Sequence, residues 1–195
     1  MRAVILAAAK PNIRRGFPDD SKPKALYKYR DEVFLSRQIR LLKQTGFSDI
    51  NVSVAWKRQL IEDFIDENDL NVQIIVQDNP KDTYKSISTI FSAVQDDVLL
   101  VYGDVWFGDE HLERIKELKD EPILTIMGVE SKGRHMHYIK SSKFDEILEK
   151  MLLPRYRDPK GTLIPFAKLL SREGINIKME NIEDFDRFSQ RNQKK

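Results

Sequence analysis

Two segments of the chain hold residues whose types and positions could do chemistry. From Lys10 to Lys24 there are five basic residues (Lys10, Arg14, Arg15, Lys22 and Lys24) against two acids, Asp19 and Asp20. The formal net charge of the whole chain is only +2, so this local excess stands out and would suit a polyphosphate. The second segment is Val101-Tyr102-Gly103-Asp104-Val105-Trp106-Phe107, where a carboxylate follows an apolar run. An aspartate there is a candidate ligand for a divalent cation, and the glycine before it would let a ligand approach the backbone. Each feature also has a plainer reading. Charged loops are often simply solvated, and Gly-Asp pairs commonly close turns or cap helices.

What separates these readings is the set of elements that must position the two segments. Ala3-Val4-Ile5-Leu6-Ala7-Ala8 is a continuous apolar run, as expected of a central strand covered on both faces. Helical spacing of apolar residues follows from Val33 to Thr45, with Gly46 placed to end the helix before a strand at Asn51 to Ala55. The alternation continues with a helix at Gln59 to Asn68 and a strand at Val72 to Val76 that ends beside Gln77. A helix at Thr83 to Val94, a strand at Val98 to Tyr102 and a helix at Asp109 to Lys119 complete it. Repeated β-α units predict a mostly parallel sheet, whose ligands bind outside the carboxyl ends of the strands. Both segments fall there.

Beyond Pro122 the pattern predicts strands at Ile123 to Val129 and His135 to Lys140, an antiparallel addition at the sheet edge. Helices are expected near Ser142 to Met151 and Gly161 to Arg172, then a strand at Ile175 to Glu180 and a terminal helix from Ile182. His135 and His137 share a face of their strand, a spacing that can bind metal, but without a third ligand nearby they read as residues of an exposed edge strand. Trp56 and Trp106 both follow strands on the ligand side. Packing is the expected role of Trp56, while Trp106 could pack or stack on a base.

Composition narrows the classes. The 195 residues are 41% hydrophobic, with 33 Lys plus Arg against 31 Asp plus Glu, and no repeat or linker divides them, so a single domain over 1–195 is expected. Without cysteine there are no disulfides, no thiolate metal site and no cysteine nucleophile, and the cytoplasm is the expected compartment. The N-terminal apolar run is too short to span a membrane, and Lys10, Pro11, Arg14 and Arg15 follow it at once, so neither a signal peptide nor a membrane partner is expected. No long basic stripe with interleaved aromatics suggests nucleic acid.

The same segments resemble the sugar-nucleotidyltransferase family, whose usual opening is a strand, then L-A-A-G-x-G-x-R, a variable stretch and P-K-x-L. Here the matching residues are Val4-Ile5-Leu6-Ala7-Ala8 and Lys22-Pro23-Lys24-Ala25-Leu26, followed by a helix carrying Phe34, Gln38, Ile39 and Leu42. Asp78-Asn79-Pro80, Ser86-Ile87-Ser88-Thr89-Ile90 and Val98 to Val105 look like the phosphocholine cytidylyltransferase branch. Lys178-Met179-Glu180-Asn181-Ile182-Glu183-Asp184-Phe185 is similar to its E-I-D-T-x-E-D-L.

The resemblance implies an α/β fold, a Rossmann-like three-layer α/β/α sandwich with a mostly parallel mixed sheet of the GT-A-like kind. It implies transfer of a nucleoside monophosphate from a nucleoside triphosphate, CTP in the first instance, to a small phosphorylated acceptor such as a sugar phosphate or phosphocholine, with Mg²⁺ as cofactor. Carried over by position, Lys24 neutralises phosphates, Asp104 binds Mg²⁺, and Glu180 falls on the family's second metal-binding aspartate. Leu6, Ala7, Ala8, Lys10, Arg14, Arg15, Gln77 and Gly103 join Lys24 around the nucleotide, and Ser86, Ser88 and Trp106 face the second substrate.

The departures are as informative. Ala9 and Pro11 stand at the two glycine positions of the phosphate loop, and proline has no N–H to offer a phosphate. Side chains such as Arg14 and Arg15 would have to serve instead. Lys85 and Ser86 replace a pair of asparagines. Two rival readings share the fold: a glycosyltransferase, whose usual Asp-x-Asp reads here as Asp104-Val105-Trp106, and a nucleotide-binding protein that has lost catalysis.

Overall fold

The computed structural model describes residues 1–11, 17–29, 31–79, 82–128, 135–153, 177–182 and 186–187, with backbone alone described at 126–128, 135, 177–182 and 186–187. Its strands are β1 (Arg2–Leu6), β2 (Lys28–Tyr29), β3 (Glu32–Val33), β4 (Asp49–Val54), β5 (Gln73–Val76), β6 (Val98–Tyr102), β7 (Val105–Trp106), β8 (Ile123–Gly128), β9 (His135–Ile139), β10 (Ile177–Ile182) and β11 (Asp186–Arg187). Its helices are α1 (Phe34–Gln44), α2 (Arg58–Glu67), α3 (Thr83–Val94), α4 (Asp109–Glu117) and α5 (Phe144–Leu152).

Seven strands form one sheet in the order β10-β8-β9-β6-β1-β4-β5. After Arg2, strand β1 is apolar because both faces are covered. Ala3 and Ile5 pack in a cluster with Leu35, Ile39 and Leu42 of α1, Ile61 and Ile65 of α2, and Leu112 and Ile115 of α4. Val4 points the other way, to Ile87, Ile90 and Phe91 of α3 and Phe144, Ile147 and Met151 of α5. Alternation along a strand thus yields three layers, the α/β/α sandwich expected from the sequence.

Helix ends follow from local chemistry. Asp82 caps α3, its Oδ1 accepting from the Lys85 N–H at 3.2 Å. At the end of α1, Gly46 takes φ +86°, its N–H donates to Lys43 O at 3.0 Å, and the Phe47 N–H donates to Leu42 O at 2.9 Å. That is a Schellman ending, and it turns the buried Phe47 back onto the core.

Three expectations are corrected. The antiparallel strand is β9, and it lies inside the sheet between β6 and β8, pairing with both. Accordingly His137 is no edge residue: it is 1% exposed, with Nδ1 at 3.0 Å from Thr125 Oγ1, a polar pairing across strands that makes an internal histidine tolerable. Nor does a terminal helix start at Ile182. That residue ends β10, and Asp186–Arg187 pairs antiparallel with β7, so the returning chain supplies backbone partners to the segment after Asp104. The helix expected at Gly161 to Arg172 lies outside the described residues. Among the described residues no helix is long and apolar enough to cross a membrane.

Candidate active site

Strand β1 lies between β4 and β6 and runs parallel to both, with Leu6 in register with Tyr102 and with Ser53. The segments that leave these strands therefore emerge side by side at one end of the sheet. Ala7 continues the ladder, donating its N–H to Ser53 O at 2.9 Å, and the Ala8 carbonyl accepts from the Trp56 N–H at 3.4 Å. Leu6 O accepts from the Gly103 N–H at 3.1 Å.

Gly103 owes its identity to this packing. A Cβ built on it would lie 3.0 Å from Leu6 O, 3.2 Å from Ala25 Cβ and 3.4 Å from Ala7 Cα. The atoms that approach Gly103 here, Leu6 O, Ala25 Cβ and Ala7 Cα, are the protein's own. Ala25 belongs to the same contact: a larger residue there would also push the strands apart.

Lys24 opens the short 3-10 turn Lys24–Leu26 behind Pro23. Its Nζ lies 3.4 Å from Asp104 Oδ2 and 5.5 Å from the centre of the Phe17 ring. Asp104 is 3% exposed. The cationic segment after β1 and the acid after β6 thus meet in one place, with a buried carboxylate beside a partly buried ammonium.

Around this pair the two loops are tied together. Lys57, at the left-handed position that starts α2 (φ +51°), donates from Nζ to Asp20 O at 3.2 Å and Ser21 O at 2.7 Å. Lys10 Nζ pairs with Asp20 Oδ2 at 2.6 Å. The ring centre of half-buried Trp56 is 5.5 Å from Lys10 Nζ and 4.8 Å from Lys57 Nζ.

Asp19 organises the run into Lys24. Its Oδ1 accepts from the Ser21 hydroxyl at 2.6 Å, the Tyr27 hydroxyl at 2.5 Å and the Ser21 N–H at 2.8 Å. These bonds, chiefly the Ser21 and Tyr27 hydroxyls, hold its pKa down to about 2. Burial, then the bond to Asp19, pushes Tyr27 up to about 12.

The remaining sequence-selected residues divide. Buried Gln77 donates from Nε2 to Ser53 Oγ at 2.9 Å and to Ser86 O at 3.3 Å, joining β4 to α3 at the same end of the sheet. Ser86 and Ser88 are half-buried on α3. Trp106 is 8% exposed, with the Arg37 guanidinium carbon 4.1 Å above its ring and Tyr29 and Phe34 edge-on at 5.0 and 6.0 Å. Its ring is part of the wall. Glu180 sits on β10 opposite Ile126 of β8. Strands β8 and β9 separate it from β6, which puts its backbone about 14 Å to the side. Arg14 and Arg15 lie outside the described residues.

Sequence reasoning gave no role to Arg37 and Gln38, neighbours on α1. Arg37 Nη2 donates to Phe107 O at 2.9 Å. Gln38 Nε2 donates to Tyr102 O at 2.9 Å and Val105 O at 2.8 Å. The available signal was a glutamine inside the apolar stripe of Phe34, Leu35, Ile39 and Leu42.

Comparison with known proteins gives the family and the fold. The sequence matches the MobA-like NTP transferase domain over residues 3–158, and the chain belongs to that family. No curated protein matches it in sequence. Among solved structures, it superposes on a putative glucose-1-phosphate thymidylyltransferase from Bacillus anthracis with TM-score 0.71 at 15% identity, covering 93% of this chain and 86% of that one. Rv0371c from Mycobacterium tuberculosis H37Rv, solved with manganese, gives TM-score 0.63 at 18% identity, covering 93% and 87%. The inositol-1-phosphate CTP transferase from T. maritima gives 0.67 at 12%, covering 95% and 86%. At these identities the likeness is one of fold.

Proposed function

We propose that the protein transfers a nucleoside monophosphate from a nucleoside triphosphate, CTP first, to a small phosphorylated acceptor and releases pyrophosphate. The observation that carries the reading is the meeting of Lys24 and Asp104 at the carboxyl ends of adjacent parallel strands, in a chain that belongs to a nucleotidyltransferase family. An acceptor phosphate oxygen forms a bond to the α-phosphorus. The bond from that phosphorus to the α–β bridging oxygen breaks, and its electron pair leaves with pyrophosphate. A phosphate monoester is already an anionic attacker at neutral pH, so the protein's task is to align the groups and neutralise charge.

Lys24 performs part of that task. When a triphosphate enters, its Nζ exchanges the Asp104 carboxylate for phosphate oxygens, and Lys10 adds a second cation at the mouth. With Pro11 in place of a glycine, side-chain cations carry more of the phosphate contact than backbone N–H groups do. Asp104 would hold a divalent cation, Mg²⁺ in this reading. The donor set fits: Mg²⁺ is commonly bound by one or two carboxylates plus phosphate oxygens and water, and the buried Asp104 carboxylate is such a donor. Bound there, Mg²⁺ would neutralise charge developing on the phosphates. Glu180 is the candidate for a second carboxylate, from a strand further along the sheet. Manganese in Rv0371c and the CTP in the name of the T. maritima enzyme support the metal class and the first choice of base. The reading takes 1–195 as one domain working in the cytoplasm.

The test is a screen for pyrophosphate release that crosses the four common nucleoside triphosphates with sugar phosphates, phosphocholine and other phosphoesters, with and without Mg²⁺. Metal-dependent release with one acceptor class supports the reading. Nucleoside diphosphate release from a sugar nucleotide would point to glycosyl transfer, and tight triphosphate binding without turnover to a binding protein.

A further inference from the structure

We infer that Gln38 is a positioning residue for Asp104, a role that rests on the nucleotidyltransferase reading and deepens it. The carboxamide of Gln38 is 1% exposed in a helix face that is otherwise apolar. A glutamine there is costly unless its polar atoms are paired. Its Nε2 donates to the carbonyls of Tyr102 and Val105, the two residues that bracket Gly103-Asp104. Both N–H groups of one amide therefore span the two-residue step that carries the carboxylate.

From the other side, β1 holds the same step. Leu6 O accepts from the Gly103 N–H, and Leu6 O, Ala25 and Ala7 leave so little room at Gly103 that an added Cβ would make a neighbour give way. Pinned by Gln38 on one side and β1 on the other, Gly103-Asp104 has little freedom to drift. Arg37 extends the hold to Phe107 O, so two consecutive side chains of α1 grip three carbonyls between 102 and 107. A hydrophobic residue at 38 would pack as well but leave the Tyr102 and Val105 carbonyls without this donor. Among the described residues Gln38 Oε1, moreover, has no hydrogen-bond partner, so a glutamine is not what packing alone would favour here.

The consequence is kinetic. Gln38 touches neither substrate nor metal in this reading, so its loss should spare acceptor binding and damage the alignment of Asp104. The test compares the parent, Gln38→Met, which keeps the length and removes the donors, and Ile39→Val, which trims the same helix and leaves the donors to the Tyr102 and Val105 carbonyls in place. Hydrogen exchange of the peptide spanning 102–107 reports the loop without any ligand, and steady-state kinetics report turnover.

For Gln38→Met we expect exchange about tenfold faster and kcat about 10- to 100-fold lower, with acceptor KM within about threefold of the parent. Ile39→Val should change neither. If Gln38→Met does not fold, Gln38→Glu, which keeps the shape and lacks the paired N–H donors, is read in the same way. An active parent with an equally active Gln38 variant, or unchanged exchange at 102–107, overturns this proposal alone. A parent that releases no pyrophosphate from any nucleotide and acceptor pair overturns the nucleotidyltransferase reading, and this inference falls with it.

Discussion

The Nζ of Lys24 lies 3.4 Å from Oδ2 of Asp104, although 80 positions of chain separate them. The Asp104 side chain is almost wholly buried and that of Lys24 is 16% exposed, so each charge offsets part of the other's loss of water. That places a displaceable cation beside a buried anion, an arrangement suited to a ligand that brings its own negative phosphates and positive metal.

Asp104→Asn keeps the shape and removes the charge. Turnover is expected to fall by about 100-fold or more while the far-UV circular dichroism stays that of the parent. Near-parental rates would remove Asp104 from the chemistry.

Lys24→Ala removes the ammonium from beside the buried carboxylate. Stability is expected to fall by about 1–3 kcal/mol in urea titration, and kcat/KM by about 100-fold. In the Lys24→Ala/Asp104→Asn double variant part of the stability loss should return, because the uncompensated charge is gone. Strict additivity of the two single changes would contradict a coupled pair.

Gly103→Ala tests the strand contact. Its Cβ would meet Leu6 O at 3.0 Å and Ala25 Cβ at 3.2 Å, so the ends of β1 and β6 must separate. A loss of about 1–3 kcal/mol is expected from overpacking, read by thermal unfolding. A melting temperature equal to the parent's would mean that the strand ends yield freely.

Asp19 and Tyr27 predict a pH window. The Asp19 pKa is lowered from 3.8 to about 2, so its contribution to stability is present above 3.8 and disappears as pH falls through 2. Tyr27 is raised from 10.0 to about 12, so its contribution is full below 10 and disappears as pH rises through 12. The stability difference between the parent and Tyr27→Phe should therefore be flat between about pH 4 and pH 10 and shrink outside it. A difference that changes steadily across neutral pH would contradict the shared hydrogen bond.

Local signals made much of the fold legible. Helix α3 and strand β6 begin and end where the sequence put them, because Asp82 caps the one and an unbroken apolar run defines the other. The mostly parallel sheet followed from the β-α alternation, and with it the end of the sheet at which Lys24 and Asp104 would meet.

What escaped depends on pairing over distance. His-Met-His-Tyr reads as a half-exposed strand, and only the neighbours β6 and β8 make it internal. Strand β11 is two charged residues, which carry no periodicity, and it exists because β7 offers it a ladder. Gln38 looks like a polar interruption in an apolar stripe until the carbonyls of Tyr102 and Val105 are seen above it. Gly103 reads as a place where a ligand could approach the backbone, and the contacts that Leu6 O, Ala7 and Ala25 make with it appear only in the fold.

The most direct test of the central claim is an electron paramagnetic resonance titration of Mn²⁺ into the parent and into Asp104→Asn, each with CTP present. The account predicts that the parent takes up one Mn²⁺ per chain and that the variant binds it at least about tenfold more weakly. Equal Mn²⁺ affinity in the two proteins would contradict it, because the acid beside Lys24 would then hold no metal.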